Sequence, residues 1–274
     1  MNFSTAKQVR IVLGIAAVLA VLIFANRFKS SSGTLGTGET PTMPGMAGMN
    51  SGSEIIADVS RVEFLGAVFD KTKPPAAVAR IILSDPKQTS SDSLKFALKW
   101  AEETSTFPLV SLIKSDLFEF HQQGKIEDVA RDYIFLAAGT TENNTVRNFL
   151  FQQGKRWIDS GLKKSPKNMA LRNALIVYQS EFANQPMMFL ATLKESYSID
   201  SNDVELNFIH LNLLKKSNQL EKAIKKCEKL VSLQPQNPYW LFEASDIFGQ
   251  MGDSTNAKVY LDLAVKVQRN SKQN

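Results

Sequence analysis

The pattern of apolar and polar positions divides the chain into three regions. Residues 11–26 form an unbroken apolar run, residues 30–53 carry mostly small and polar side chains, and from Glu54 onward apolar residues recur at spacings of three and four. That last spacing is typical of helices with one buried face, and no sustained alternation of the kind expected for strands occurs. Gly and Pro mark the breaks between segments. The pattern predicts an all-α fold with helices at 54–70, 75–84, 91–104, 107–123, 126–138, 144–164, 168–183, 186–198, 203–217, 219–233, 237–250 and 253–268.

The apolar run at residues 11–26 predicts a transmembrane anchor behind a short N-terminal tail, residues 1–10. The run holds no charged side chain and one polar side chain, Asn26. A straight helix of this length is about 24 Å long, and basic residues on both flanks can extend their charged ends to the headgroups of a core about 30 Å thick. A cleaved signal peptide is the main alternative, although Ile23-Phe24-Ala25 offers only one small residue for a cleavage site. A buried soluble helix is a further alternative.

The flanking charges give the expected orientation of this anchor. Each flank carries two Lys or Arg residues, and the α-amino group adds positive charge on the N-terminal side. The stretch from Ser30 to Ser60 contains no Lys or Arg that would resist translocation. We therefore expect the N-terminus in the cytoplasm and the folded part on the extracytoplasmic, periplasmic side of the inner membrane. The inverted orientation, with a cytoplasm-facing folded part, is the alternative.

Residues 30–53 form a linker rich in Gly, Ser, Thr and Met. A segment with so few large apolar groups cannot bury enough surface to fold, so we expect a flexible tether. Met43, Met46 and Met49 recur at every third position. Thioethers are soft ligands that suit Cu(I), so these three methionines are weak candidates for a metal site, and copper handling is an alternative function. A linker that happens to use Met is the simpler interpretation, because His and Cys are absent nearby.

An internal period of 34 residues identifies the class of helical fold. At this offset Ala223 aligns with Ala257, Leu214 with Phe248, and the segment 197–203 with 231–237. A helix–turn–helix unit of 34 residues resembles the tetratricopeptide repeat (TPR), most clearly over 168–271. The resemblance implies stacked helical hairpins over residues 106–271, preceded by a helical part at 54–105 without a convincing repeat. The chain is similar in organisation to single-pass bacterial envelope proteins that carry TPR domains.

Composition and motifs argue against catalysis. The chain has 274 residues and a pI near 9.1, but residues 54–274 carry 28 basic and 26 acidic side chains, so the basic balance is weak evidence for nucleic-acid binding. Cys227 is the one cysteine, which excludes an intrachain disulfide, and His121 and His210 are the only histidines. No nucleotide-binding, zinc-protease or serine-hydrolase motif occurs. We expect no enzyme activity, no cofactor, no nucleic-acid partner and no small-molecule substrate.

The TPR resemblance implies a binding groove lined by the first helix of each repeat. Aromatic residues at these positions fit an apolar or amphipathic helix or an extended segment of another protein, although some of them could instead pack between repeats. Phe208 stands where the TPR clamp for chain-terminal carboxylates needs a lysine, so that clamp is not expected here. The groove positions are Tyr178, Glu181, Phe182, Phe208, Asn212, Lys215, Tyr239, Phe242 and Asp246.

These observations predict a membrane-anchored interaction scaffold. Its partners would be other proteins, among them membrane proteins or subunits of a secretion or assembly complex. The resemblance implies a role as a scaffold or chaperone-like accessory of a bacterial envelope assembly or translocation machine.

Overall fold

The computed structural model describes residues 58–140, 142–182 and 186–273, and within these ranges the fold is all-α. The helical hairpins predicted from the apolar spacing are present in each part. The predicted anchor at residues 11–26 and most of the linker at 30–53 precede the described residues, as do Met43, Met46 and Met49. The helices are α1 (Arg61–Thr72), α2 (Ala76–Leu83), α3 (Ser91–Glu103), α4 (Phe107–His121), α5 (Ile126–Gly139), α6 (Asn144–Lys164), α7 (Met169–Glu181), α8 (Pro186–Ile199), α9 (Val204–Lys216), α10 (Leu220–Leu233), α11 (Tyr239–Gln250) and α12 (Ser254–Gln273).

Side-chain caps explain several helix starts. Ser60 accepts a hydrogen bond from the Glu63 backbone N–H, and the Glu63 carboxylate accepts one in return from the Ser60 backbone N–H, which completes a capping box. Residues 58–60 are not helical, so the predicted start of the first helix at residue 54 is wrong. An uninterrupted apolar spacing suggested the earlier start, but the capping box places it at Arg61. Asn143, Asn168 and Asp203 cap later helices in the same way.

Of the helices that the structure describes, none combines the length and apolar character that crossing a bilayer requires.

The described residues fall into two compact units. We call residues 58–182 the N-terminal unit and residues 186–273 the C-terminal unit. In the N-terminal unit, α1 packs on α6, α2 on α3, α3 on α4, and α5 on both α6 and α7. In the C-terminal unit, α9 packs on α10, α10 on α11 and α11 on α12. Each unit therefore stacks neighbouring helical hairpins, as expected for repeats that cannot bury their own apolar faces.

The core of the C-terminal unit agrees with the 34-residue register. Ala223 and its counterpart two turns along the same helix, Leu230, are fully buried, and so is Ala264, which aligns with Leu230. Leu214 is buried in this core, and its counterpart Phe248 packs against it. Small residues allow the helices to approach, and larger ones fill the remaining space. The buried core consists of Leu211, Leu214, Ala223, Ile224, Cys227, Leu230, Trp240, Ala244 and Ile247.

In the N-terminal unit, α5 and α6 approach closely at Gly154. A Cβ atom at this position would lie 2.5 Å from Ile134 Cδ1 and 3.2 Å from Tyr133 Cβ, and both of those side chains are fully buried. We expect Gly154→Ala to lower the free energy of unfolding by about 1–2 kcal/mol, because overpacking outweighs the gain in helix propensity. Urea unfolding followed by circular dichroism measures the change.

Gly66 provides the matched control for this substitution. It also lies inside a helix, α1, but a Cβ atom there would have no neighbour within 4 Å. Gly66→Ala should therefore leave stability unchanged or raise it by up to about 1 kcal/mol. Equal effects of the two substitutions would contradict a close helix contact at Gly154.

A bidentate ion pair attaches the first helix to the rest of the N-terminal unit. The Arg61 guanidinium on α1 donates to both carboxylate oxygens of Asp116 on α4, at 2.9 and 2.7 Å. The Asp116 side chain is 5% exposed and the Arg61 side chain 31% exposed. Burial raises the pKa of Asp116, although Arg61 opposes that effect. The helical part at 58–105 is thus held to the later helices by a charged contact as well as by apolar packing.

Candidate partner-binding site

The predicted groove residues fall into two sets, one in each compact unit. The N-terminal set is Tyr178, Glu181 and Phe182, at the end of α7 and just beyond it. The C-terminal set is Phe208, Asn212 and Lys215 on α9 together with Tyr239, Phe242 and Asp246 on α11.

In the C-terminal set, aromatic rings from two successive first helices meet. The Phe208 ring lies 6.2 Å from the Tyr239 ring and 5.5 Å from the Trp240 ring, measured between centroids. Tyr239 and Trp240 contact each other edge to face at 4.8 Å. Phe208 and Tyr239 are half-buried and pack against the core. The alternative that some groove aromatics pack between repeats therefore describes part of their role, and the face that they leave open is a ready contact for an apolar side chain.

A charged group borders these rings. The Lys215 ammonium donates to Glu243 Oε2 at 2.6 Å and lies 3.8 Å from Asp246 Oδ2. The side chains of Lys215 and Glu243 are each 11% exposed, whereas that of Asp246 is 57% exposed. Gln250 donates to Asp246 at 2.8 Å. Two carboxylates share one ammonium here, so this border carries a net negative charge with its outermost carboxylate open to solvent.

Burial and the nearby Glu243 charge also affect two acidic groups. Both raise the pKa of the Tyr239 hydroxyl, and both raise the pKa of the Cys227 thiol to about 12. Cys227 is fully buried. A thiol of such high pKa is neutral at pH 7 and is a poor nucleophile or metal ligand, in agreement with the expectation of an inert packing residue.

The remaining two members of the C-terminal set, Asn212 and Phe242, are half-buried. Each lies one helical turn from another member, since Asn212 follows Phe208 by four residues and Phe242 precedes Asp246 by four. Residues four apart share a helix face. Phe242 is not among the residues that pack against the core, which distinguishes it from Phe208 and Tyr239.

The N-terminal set packs against α6. The rings of Tyr178 and Phe182 stack at 5.8 Å, and Phe151 on α6 contacts both. The Arg147 guanidinium lies 4.6 Å from the Phe182 ring centroid, and the Lys155 ammonium lies 5.7 Å from that of Tyr178. These cation–π contacts make the N-terminal set an aromatic surface bordered by positive charge. Glu181 is half-buried at the end of α7.

Three charged residues beside the two sets were missed by the sequence analysis. Arg147 and Lys155 lie on α6, outside the helix that the resemblance assigns to a groove. Glu243 offered a signal that could have been used: the 34-residue offset aligns it with Ile209, which is buried. A carboxylate at a position that is apolar in the preceding repeat must have a partner, and Lys215 supplies it.

A polar cluster occupies the junction of α8, α9 and α10, and we call it the Tyr197 cluster. The Tyr197 hydroxyl lies 3.0 Å from His210 Nδ1 and donates to Asn207 Oδ1 at 3.3 Å. The Lys226 ammonium donates to the same Asn207 oxygen at 3.3 Å and lies 4.4 Å from the Tyr197 ring centroid. Burial lowers the pKa of His210 to about 4, and the charges of Lys226 and Lys222 lower it further. The His210 imidazole is therefore neutral at pH 7.

This environment predicts a loss of stability in acid. Because the pKa of His210 is about 4 in the fold and about 6.5 in an unfolded chain, the unfolded state binds more protons between these values. Stability contributed by the neutral imidazole is present above pH 6.5 and is lost as the pH falls to 4. After allowing for solvent screening at this half-buried site, we expect about 1–2 kcal/mol. Denaturant unfolding of the wild type and of His210→Gln at pH 7 and pH 4.5 should show the steeper loss in the wild type, and parallel losses would contradict the assignment.

Among the residues that the structure describes, no group of three or more His, Cys, Asp or Glu side chains could hold a metal ion.

Comparison with known proteins places part of the chain in a family. Residues 241–271 match the model of the tetratricopeptide repeat. No curated protein matches this chain. Among solved structures, "MamA RS-1 ArsTM double mutant" is 14% identical over 70% of this chain and 99% of its own, with a TM-score of 0.44. "MamA MSR-1 C2" is 12% identical over 65% and 96%, with a TM-score of 0.40. YrrB, described as a TPR protein with an unusual peptide-binding site, is 15% identical over 71% and 93%, with a TM-score of 0.37.

Structural similarity at these scores does not transfer binding residues to this chain. The family match coincides with α11 and α12, the hairpin whose first helix carries Tyr239, Phe242 and Asp246. This chain therefore carries a tetratricopeptide repeat at residues 241–271, and the recognition drawn from the 34-residue period is confirmed.

Proposed function

We propose that this chain is a non-catalytic interaction scaffold that binds a segment of a partner protein along α9 and α11 of the C-terminal unit. One observation supports the proposal most strongly: the half-buried rings of Phe208 and Tyr239 lie beside the charged group of Lys215, Glu243 and Asp246 on successive first helices. Rings that are partly covered lose little conformational entropy when a partner packs on them, and the charged border supplies orientation.

The charges of the C-terminal set define the chemistry of that partner. Lys215 is already bonded to Glu243, and the more exposed Asp246 shares it only at 3.8 Å. A Lys or Arg side chain of a partner would complete the pairing of Asp246, while a neighbouring apolar side chain would pack on Phe242. We therefore propose a segment with a basic residue next to an apolar one, bound as a helix or as an extended strand.

Selection from a displayed library of random peptides tests this proposal directly. The full chain is immobilised, and bound peptides are compared with those retained by a Phe242→Ala/Asp246→Asn variant. We expect the wild type alone to enrich peptides that combine Lys or Arg with an apolar neighbour. Enrichment of acidic peptides, or of the same peptides by the variant, would overturn the proposed groove.

We further propose that residues 11–26 anchor the chain in the inner membrane and that residues 30–53 tether the helical units on the periplasmic side. The support is the sequence pattern: an uncharged apolar run, basic flanks, and a following stretch without Lys or Arg. In this setting the protein would serve an envelope assembly or translocation complex as a scaffold or chaperone-like accessory. The inverted, cytoplasm-facing adaptor is the competing orientation.

A reporter fused after Asn274 distinguishes the two orientations. We expect alkaline phosphatase, which folds only after export, to be active there, and a fluorescent protein that folds only in the cytoplasm to stay dark. The opposite pair of results would establish the cytoplasm-facing adaptor and would leave the proposed groove unaffected.

A further inference from the structure

Three lysines share one face of α10 in the C-terminal unit. Lys222, Lys226 and Lys229 are separated by four and three residues, so their side chains fall within an arc of about 60° and along about 10 Å of helix. The acidic residues of the same helix, Glu221 and Glu228, point about 100° or more away from Lys222. We call the three lysines together with the Tyr197 cluster the cationic face.

The ammonium groups of these lysines bond to neutral oxygens. Lys222 donates to Gln219 Oε1 at 2.7 Å, Lys226 to Asn207 Oδ1 at 3.3 Å and Lys229 to Asn202 Oδ1 at 2.7 Å. The ion pairs found among the described residues do not include any of the three. The positive charge of the cationic face is therefore not balanced by a paired carboxylate within this part of the chain.

Mutual repulsion accompanies this lack of pairing. Burial lowers the pKa of Lys226, and the charge of Lys229 lowers it further. Lys222 and Lys226 act in the same direction on the pKa of His210. Asp203, whose charge affects Tyr197, is held at the start of α9 by the Leu206 backbone N–H at 2.6 Å. Like charges one turn apart destabilise a helix, and a bound anion would relieve this strain.

We propose that the cationic face binds a tetrahedral oxyanion, the phosphate or sulfate group of a small ligand or of a lipid headgroup. The geometry supplies donors: three ammonium groups and, beside them, the Tyr197 hydroxyl. Their present partners are side-chain amide oxygens, which a charged oxygen would displace because charge-assisted hydrogen bonds are about twice as strong as neutral ones. The length of about 10 Å suits one or two such groups. This site is separate from the proposed partner groove and does not depend on it.

The two histidines allow a site-specific test. The full chain, labelled at histidine and kept in a neutral detergent, is titrated between pH 3 and pH 7.5 by NMR, once in chloride and once in sulfate of equal ionic strength. Sulfate keeps its charge over this range. We expect sulfate to raise the pKa of His210 by at least about 0.5, equivalent to about a threefold preference of the anion for the imidazolium form. His121, on α4 of the other unit, should not change.

Matched lysine variants assign the effect to this face. In Lys222→Gln/Lys226→Gln the pKa of His210 should be higher in chloride, because two repelling charges are gone, and sulfate should no longer raise it. Lys225→Gln removes an exposed charge from the same helix that does not contribute to the shift of His210, and it should respond to sulfate as the wild type does. Equal pKa values of His210 in chloride and sulfate, or an undiminished response in the double variant, would overturn the proposal.

A second measurement covers unfolding at low pH. At pH 7, sulfate raises the melting temperature of most proteins by exclusion from their surface. We expect the rise over matched chloride to be larger in the wild type and Lys225→Gln than in Lys222→Gln/Lys226→Gln. An equal rise in all three proteins would contradict a built oxyanion site.

The same titration identifies the source of the oxyanion. Sulfate is then replaced by mixed micelles that contain phosphatidylglycerol. A rise in the pKa of His210 that exceeds the change at His121 and is lost in the double variant would support a lipid headgroup. A response to sulfate without one to phosphatidylglycerol would support a small soluble ligand.

Discussion

Replacing Arg61 with alanine should lower the free energy of unfolding of the N-terminal unit by about 2–4 kcal/mol at pH 7. The substitution leaves the Asp116 carboxylate, 5% exposed, without the two hydrogen bonds that it receives from the guanidinium. Breaking a buried pair by removing one partner typically costs about 3–5 kcal/mol, and the partial exposure of Arg61 lowers the figure here. Denaturant unfolding measures the loss.

The dependence on pH distinguishes an unpaired charge from a general packing defect. Without Arg61, burial should raise the pKa of Asp116 further above its usual range, because the group that opposes this effect is gone. An acid whose pKa is higher in the fold than in the unfolded chain is stabilised as the pH falls through the higher value. The deficit of Arg61→Ala should therefore shrink between pH 7 and pH 5. A constant deficit would indicate lost packing alone.

Lys71 provides the matched control. Its ammonium pairs with Glu142 at 3.2 Å, but both side chains are mostly exposed, at 60% and 82%. Lys71→Ala also joins α1 to a residue far along the chain, yet it should cost less than about 1 kcal/mol, as surface pairs generally do. Replacing both buried partners, as in Arg61→Met/Asp116→Leu, should recover most of the loss of Arg61→Ala.

These pairs also show which parts of the fold were accessible to sequence reasoning. Helix positions followed from apolar spacing because each helix must bury one face, and the repeat followed from the alignment of small residues such as Ala223 with Ala257. The contact between Arg61 and Asp116 was not predicted, since the residues are 55 positions apart and no local pattern links them. Long-range charged contacts depend on how hairpins stack, which the period alone does not determine.

The groove illustrates the same limit at the level of single residues. The repeat register identified Phe208 and Phe242 as equivalent positions, 34 residues apart, and gave both a role in binding. The structure packs Phe208 against the core but does not include Phe242 among the residues that contact it. Phe208 meets Tyr239 and Trp240, side chains without a counterpart in the preceding repeat, so equivalence in register did not carry over to equivalence in packing.

This difference determines how the partner groove should be tested. Phe208→Ala is expected to weaken both binding and the fold, so its effect on binding alone cannot be isolated. Phe242→Ala removes a half-buried ring outside the core, and Asp246→Asn removes a charge from a side chain that is 57% exposed. Both variants should keep the helical content and the unfolding midpoint of the wild type to within about 1 kcal/mol.

We expect Phe242→Ala to weaken the binding of a selected basic and apolar peptide by about thirtyfold, since truncation of an aromatic anchor commonly costs about 2 kcal/mol or more. Asp246→Asn should weaken it about threefold to tenfold at low salt and less at high salt, because the lost interaction is a partly exposed ion pair. Lys225→Ala, on the outer helix α10, should bind as the wild type does. Titration calorimetry at two salt concentrations measures all three proteins. If folded Phe242→Ala binds the peptide at wild-type strength, the peptide does not lie along α9 and α11. If instead Phe242→Ala unfolds, its ring belongs to the core, and the groove must be sought at the N-terminal set.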